Sequence, residues 1–131
     1  MIAGTELRKI ARERLADANA LFESGRYDGA IYLCGYAVEI SLKYRICKTL
    51  RWAGYPDTRA EFERYQSFRT HDLRVLLHLS GREAKIKASM FTEWSTVAAW
   101  DPAARYESGG EASEAKAERM LEAAAVLVRA L

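Results

Sequence analysis

The chain contains two histidines, and both lie in a stretch that also carries arginines, so the residue types needed for metal-independent cleavage of RNA are present. The stretch FRTHDLRVLLH, residues 68–78, holds both His71 and His78, and six residues separate Arg64 from His71. Cleaving RNA without a metal requires groups that accept and donate protons, and a cation that stabilises charge on the phosphate. Imidazole exchanges protons near neutral pH, and a guanidinium keeps its charge. Arg64 and His71 are therefore candidate catalytic residues.

The same stretch is also typical of a helix start, and this structural interpretation is the favoured one. Thr70 is predicted to be the N-cap of a helix, which puts His71 in its first turn. Asp72 would then lie near the positive end of the helix dipole. His78 is predicted to be a packing or surface residue.

Glu39 and Lys43 are four residues apart with the acid on the N-terminal side, the favoured order for a helical ion pair. The segment around them is apolar, so a buried carboxylate there needs a partner. The structural interpretation is a pair that ties a core helix to its neighbour. The functional interpretation is a polar contact with a bound nucleotide or at a dimer seam.

Arg105 and Tyr106 follow Pro102 on a predicted polar loop, close in sequence to Trp100. An arginine beside aromatic side chains can bind phosphate and stack on a base. Alternatively, Tyr106 closes the end of a helical bundle and Arg105 pairs with a helix C-terminus. Both interpretations stay open.

A basic cluster lies near the N-terminus and consists of Arg8, Lys9, Arg12 and Arg14. Arg8 and Arg12 share a helix face that could follow a phosphate backbone. Because Glu6 and Glu13 interrupt the cluster, a solvated helix face is the favoured interpretation. The sequence has no glycine-rich phosphate loop, no paired cysteine ligands and no His-Glu zinc signature, so neither a metal nor a cofactor is predicted.

Composition and charge are ordinary for a globular protein. The 131 residues carry 20 Lys and Arg against 18 Asp and Glu, a net charge of +2, which does not by itself indicate a nucleic-acid binder. We expect one domain over residues 1–131. Cys34 and Cys47 are predicted to be reduced core residues. Since no signal segment and no membrane span are predicted, we expect a soluble, cytoplasmic protein.

Hydrophobic residues recur at three- and four-residue steps along most of the chain, which predicts an all-α up-and-down bundle of four to five helices. The second helix is apolar nearly all round and is predicted to be the buried central element. Thr58 and Ser80 each open a predicted capping box. The predicted helical ranges are 5–24, 27–50, a short piece after Thr58, a third helix from Thr70, 82–100 and 111–129.

Three stretches, in order, resemble the HEPN domain family: ALFESGRYDGAIYLCGYAVEISLKYRI (residues 20–46), THDLRVLL (70–77) and ARYE (104–107). The resemblance implies an α-helical bundle that commonly forms homodimers and acts on or near nucleotides or RNA. Family members include partners of minimal nucleotidyltransferases in toxin–antitoxin pairs and metal-independent ribonucleases. In the ribonucleases an arginine and a histidine, separated by four to six residues, combine across two protomers. Here Tyr65 follows Arg64, where the family's active motif usually has a small polar residue.

The favoured hypothesis is a HEPN module that binds a nucleotide, RNA or a nucleotidyltransferase partner, in a pair of the toxin–antitoxin type. Its candidate binding residues are Glu39, Lys43, Asp72, Arg105 and Tyr106. The first alternative is a ribonuclease toxin that uses Arg64 and His71 across a dimer. The second is a structural interaction protein. Tyr32, Tyr36 and Tyr44 add aromatic bulk to the central helix and are candidates for a dimer interface.

Overall fold

The computed structural model describes residues 1–102 and 112–131. The part of the chain that it describes is mostly helical, with only two short strands, which confirms the all-α prediction. It forms seven α-helices, because the short helix after Thr58 is separate and the predicted helix over residues 82–100 is divided in two. Arg105 and Tyr106 lie outside the described residues.

The first two helices form the centre of the fold. Helix α1 spans Gly4–Glu23 and α2 spans Tyr27–Leu50, within one residue of the predicted ranges. Gly25, in the turn between them, has a φ of 75°, a left-handed conformation that glycine adopts without a steric penalty. Helix α2 packs against α1 and against two later helices, α4 (Leu73–Ser80) and α7 (Glu114–Ala130). It is thus the buried central element that its apolar sequence predicts.

A short antiparallel pair of strands joins the two ends of this helical pair. Strand β1, Ile2–Ala3, pairs with β2, Gly54–Tyr55, so that Ile2 lies opposite Tyr55. The side chain of Tyr55 is buried, and its hydroxyl donates a hydrogen bond of 2.7 Å to the backbone carbonyl of Phe68. This bond fixes the segment that precedes His71 against the bundle.

The segment after β2 contains helix α3, Arg59–Phe62, and a turn of 3-10 helix, Gln66–Phe68. Thr58 caps α3 as predicted, since its hydroxyl accepts a hydrogen bond from the amide of Glu61. Helix α4 spans Leu73–Ser80. Its N-cap is Asp72, whose Oδ1 accepts from the amide of Arg74 at 2.9 Å.

The predicted N-cap at Thr70 is therefore wrong. Thr70 and Asp72 are both good capping residues two positions apart, and Thr70 instead accepts a hydrogen bond from the amide of Asp72 at 3.0 Å. As a result His71 lies before α4, not in its first turn.

The predicted helix over residues 82–100 consists of α5, Glu83–Ser89, and α6, Phe91–Ala98. They are separated at Met90, whose backbone angles (φ −136°, ψ 39°) are not helical. The apolar stripe continues across this break, with Ile86 buried in α5 and Trp94 and Val97 in α6, so periodicity does not reveal it.

The predicted capping box at Ser80 is also wrong. Ser80 is the last residue of α4. Its hydroxyl donates to the carbonyl of Leu77 and accepts from the amide of Arg82. The side chain therefore stabilises the end of one helix and the turn after it, and does not cap α5.

Helix α7, Glu114–Ala130, closes the bundle against α1, α2 and α6. Ser113 caps it by accepting a hydrogen bond from the amide of Lys116 at 3.1 Å. Of the predicted apolar stripe, Ala117 and Ala124 are buried, whereas Leu121 and Val128 are half-buried. No helix among the described residues is both long enough and apolar enough to cross a membrane.

Candidate functional site

Glu39 is a carboxylate in the middle of the central helix, and only 2% of it is exposed. The ammonium of Lys43 donates to its Oε2 at 3.0 Å, so the ion pair expected from the spacing is present. A buried carboxylate without partners would carry a large desolvation cost. Lys43 supplies one partner from the same helix, and the second comes from a distant part of the chain.

That second partner is His71, whose Nδ1 lies 3.0 Å from Oε1 and 3.1 Å from Oε2 of Glu39. A carboxylate can only accept hydrogen bonds, so the proton of this bond belongs to Nδ1 of the imidazole. The side chain of His71 is 60% exposed. The buried acid therefore holds the ring through Nδ1, while more than half of the side chain stays exposed and Nε2 is not bound by Glu39.

His71 stands between two clefts. The first, here called the Tyr55 cleft, has a volume of about 420 Å³ and is lined by Lys43, Tyr55, Phe68, Arg69 and His71 among others. The ammonium of Lys43 lies 5.4 Å from the centre of the Tyr55 ring, a cation–π distance. Asp57 also lines the cleft, and its carboxylate pairs with the N-terminal ammonium at 2.8 Å. The cleft thus combines two cations, an imidazole and one paired carboxylate with aromatic walls.

The second, here called the Trp100 cleft, has a volume of about 310 Å³ and is lined by His71, Asp72, Arg74, Trp100 and Asp101 among others. Asp72 is already engaged as the cap of α4, while Arg74 is exposed in the first turn of that helix. The Trp100 cleft therefore offers a guanidinium and an indole on the other side of the same imidazole.

Arg64, the predicted partner of His71, lines neither cleft. It is exposed on the turn that follows α3. Arg69 and Arg74 lie beside His71 instead. Both are within three residues of His71 in the sequence FRTHDLR. Arg64 was the predicted partner because its distance from His71 along the chain matches the family's motif.

Trp100 is held by close packing against α2. A Cβ atom added to Gly35 would meet the indole ring at 2.0 Å, so only glycine admits Trp100 at this depth. Tyr32 and Tyr36 surround the indole, with ring centres 6.2 and 5.3 Å from it. These two tyrosines, proposed for a dimer interface, thus contribute packing within one protomer.

His78, the second histidine, is 76% exposed and lies 3.5 Å from the carboxylate of Glu83. The hydrogen bond from His78, together with the charge of Lys87, lowers the pKa of Glu83 despite partial desolvation. Neither His78 nor Glu83 lines the Tyr55 or the Trp100 cleft. Of the two predicted roles for His78, a packing residue or a surface residue, its exposure supports the second.

Two chemical capabilities follow from the arrangement around His71. The imidazole and the cations can bind a phosphate or another anion, and Nε2, which Glu39 does not bind, can exchange a proton. Within residues 1–102 and 112–131, no group of three or more His, Cys, Asp or Glu side chains is placed to hold a metal ion.

Comparison with known proteins gives one match. Residues 5–59 match the family model of the HEPN domain, which covers α1, α2, β2 and the start of α3. The predicted resemblance to the HEPN family is confirmed over these residues, which include Glu39 and Lys43. Searches of curated proteins and of solved structures found no match.

Proposed function

From the HEPN domain at residues 5–59, we propose that the protein is a HEPN module that binds a phosphate-bearing ligand, a nucleotide or RNA, in the clefts beside His71. The observation that carries this proposal is the contact between the buried Glu39 and the exposed His71. It fixes an imidazole at the surface between Arg69 on one side and Arg74 on the other.

The composition of the clefts suits a nucleotide. Phosphate oxygens can accept from the guanidinium groups and from the imidazole. Phe68 in one cleft and Trp100 in the other are half-buried, so their rings leave surface near which a base can lie. Glu39 is buried behind this surface and positions His71, whereas Lys43 lines the Tyr55 cleft and can contact the ligand from there.

A homodimer and a partnership with a minimal nucleotidyltransferase, as in toxin–antitoxin pairs, are part of the same proposal and rest on the family resemblance. Arg105 and Tyr106, which follow Trp100 closely in sequence, are retained as candidate ligand contacts. Light scattering at micromolar concentration tests the dimer, and a monomer would contradict it. Copurification with the nucleotidyltransferase of a neighbouring gene tests the partnership.

Ligand binding can be tested by a nuclear magnetic resonance titration of the ¹⁵N-labelled protein with ribonucleoside mono-, di- and triphosphates. We expect the amide shifts to change most around Arg69, His71 and Arg74. His71→Ala should weaken binding severalfold, whereas the matched variant His78→Ala should leave it unchanged. Shift changes that avoid both clefts, or equal effects of the two variants, would contradict the proposal.

A second candidate function is metal-independent cleavage of RNA. The geometry of Glu39 and His71 favours it, because an acid that holds Nδ1 orients the opposite nitrogen of the imidazole for proton transfer. In this mechanism Nε2 would take the proton of the 2′-hydroxyl, which attacks the adjacent phosphorus. The bond to the 5′-oxygen then breaks as that oxygen receives this proton back from Nε2, and a guanidinium stabilises the charge on the phosphate.

Arg64 can serve in this reaction only if it comes from a second protomer that places it beside His71 of the first, since it lines neither cleft of its own chain. The decisive assay incubates RNA with the protein and excess chelator, and compares Arg64→Ala, Arg69→Ala and His71→Ala. Cleavage that is lost in His71→Ala and restored by mixing Arg64→Ala with His71→Ala protein would establish a site shared between protomers. Intact RNA with folded wild-type protein would exclude the ribonuclease.

A further inference from the structure

A third surface, separate from the two clefts, lies where α1 crosses α2. This surface, here called the Arg8 groove, has a volume of about 460 Å³ and is lined by Arg8, Lys9, Arg12 and Glu13 of α1 and by Tyr44 of α2, among others. None of its residues lines the Tyr55 or the Trp100 cleft. A ligand in the Arg8 groove would therefore contact none of the residues that line the clefts beside His71.

The cations of the groove are not neutralised by ion pairs within the described residues. Of the basic cluster near the N-terminus, only Arg14 has carboxylate partners among the described residues: Asp17 at 3.1 Å and Glu13 at 3.9 Å. Of the two acids that interrupt the cluster, Glu13 is thus turned towards Arg14, and Glu6 does not line the groove. Arg8, Lys9 and Arg12 are exposed, and Arg8 donates to a neutral group, the hydroxyl of Tyr44, at 3.2 Å.

Neighbouring residues extend the positive field onto α2. Lys48 lies 5.8 Å from the centre of the Tyr44 ring, on which the guanidinium of Arg8 also packs. Burial would raise the pKa of Tyr44, but the hydrogen bond and charge of Arg8 and the charge of Lys48 outweigh it and lower that pKa. Burial lowers the pKa of Arg45, and the nearby Arg82 and Arg8 lower it further.

We propose that the Arg8 groove binds the phosphodiester backbone of a nucleic acid strand through Arg8, Lys9 and Arg12. Arg8 and Arg12 are one turn apart along α1, separated by about 6 Å of helix rise, so they present successive guanidinium groups along one line. Because the contacts are made to phosphates, this surface does not read the base sequence.

The groove suits phosphates better than a protein partner. Specific protein interfaces usually contain a core of exposed apolar or aromatic side chains. The large apolar side chains that are exposed in the described residues, Met1, Leu50, Tyr65, Val75 and Phe91, all lie outside the groove. What the groove offers is permanent positive charge around one phenol.

Fluorescence anisotropy of a labelled oligonucleotide tests the proposal with the full chain. For three phosphate contacts to a single strand, the logarithm of the association constant should fall with the logarithm of the salt concentration with a slope of about −2 or steeper. The double variant Lys9→Ala/Arg12→Ala should bind about tenfold more weakly at low salt, and its slope should be less steep by about 1.4.

A charge-matched control is Lys116→Ala/Arg119→Ala on α7, which removes two exposed cations that do not line the groove. It should bind like the wild type. Equal losses in the two double variants would show that binding follows net charge alone and would overturn the groove. Absence of binding by the folded wild-type protein would overturn it as well.

Two further experiments distinguish nucleic acid from an acidic peptide as the ligand, and binding in the Arg8 groove from binding in the clefts beside His71. RNA and DNA oligonucleotides of one sequence should bind with similar affinity, and an oligoglutamate peptide should not compete; an RNA-only preference or effective competition would overturn a phosphodiester site. In the His71→Ala background, Lys9→Ala/Arg12→Ala should still weaken oligonucleotide binding by the same factor as in the wild-type background. A failure of the clefts and a failure of the groove therefore give different results.

Discussion

Nδ1 of His71 lies 3.0 Å from the carboxylate of Glu39, although the two residues are 32 positions apart in the sequence. The ammonium of Lys43 contacts the same carboxylate at 3.0 Å. One buried acid thus binds a lysine of its own helix and a histidine of a distant segment. The exposed imidazole gains a fixed orientation that its position on a loop would not otherwise provide.

The Glu39 contact should determine which nitrogen of His71 carries the proton. In the neutral ring we expect the proton on Nδ1, because the carboxylate accepts from that atom. Long-range ¹⁵N–¹H correlation spectra distinguish the two tautomers. In Glu39→Ala the preference should disappear for His71 and stay as in the wild type for His78. An Nε2–H tautomer of His71 in the wild type would contradict the assigned role of Glu39.

Removing the Tyr55 hydroxyl should loosen the segment that carries Arg69 and His71. Tyr55→Phe deletes the hydrogen bond to the carbonyl of Phe68 and should lower the free energy of unfolding by about 1–2 kcal/mol. Urea denaturation measures this loss. The amides that precede α4 should also exchange faster with deuterium. The control is Tyr65→Phe at a tyrosine that is 42% exposed, and an equal loss in both variants would contradict the prediction.

Adding one methyl group at Gly35 should disturb the Trp100 cleft. In Gly35→Ala the new Cβ would lie 2.0 Å from the indole, so Trp100 must move; overpacking of this kind costs about 1–3 kcal/mol. Gly29→Ala, on the same helix, would meet only a side-chain methyl of Leu21 at 3.2 Å. It should be neutral or stabilising, since alanine favours the helix. Thermal melts and tryptophan fluorescence measure both variants, and unchanged fluorescence in Gly35→Ala would contradict the close packing.

Alkaline pH should destabilise the protein partly through its buried thiols. Burial raises the pKa of Cys34 from its ordinary 9.0 to about 12 and that of Cys47 to about 11. Above pH 9 these thiols ionise in the unfolded chain but stay protonated in the folded one. Their contribution to the free energy of unfolding is therefore complete below pH 9. It is lost as the pH rises towards the pKa values of the two thiols in the folded protein.

Cys34→Ala removes one of the two thiols that make the free energy of unfolding depend on pH. The free energy of unfolding, measured with urea at several pH values, should fall less steeply between pH 9 and 11 in this variant than in the wild type. The remaining titrating groups, Tyr55 among them, are common to both proteins. Parallel curves would show that Cys34 does not contribute.

The bounds of α1 and α2 and the burial of α2 could be predicted from the sequence, because helical periodicity, a glycine stop and an apolar run are local signals. The ion pair of Glu39 with Lys43 was equally predictable, since residues four apart on a helix are neighbours. The break at Met90 and the cap at Asp72 could not be predicted from the sequence. In both cases the local sequence is compatible with two backbone conformations, and packing against the rest of the bundle selects one.

The sequence by itself determined the class of the fold, its resemblance to the HEPN family and the residues able to do chemistry. Only the tertiary structure decided which of them meet. It brought His71 to Glu39, left Arg64 outside both clefts, and turned Glu13 towards Arg14, so that Arg8, Lys9 and Arg12 have no acidic partner within residues 1–102 and 112–131. The physical reason is that hydrogen bonds and ion pairs depend on distances of about 3 Å, which spacing along a chain fixes only within one helix.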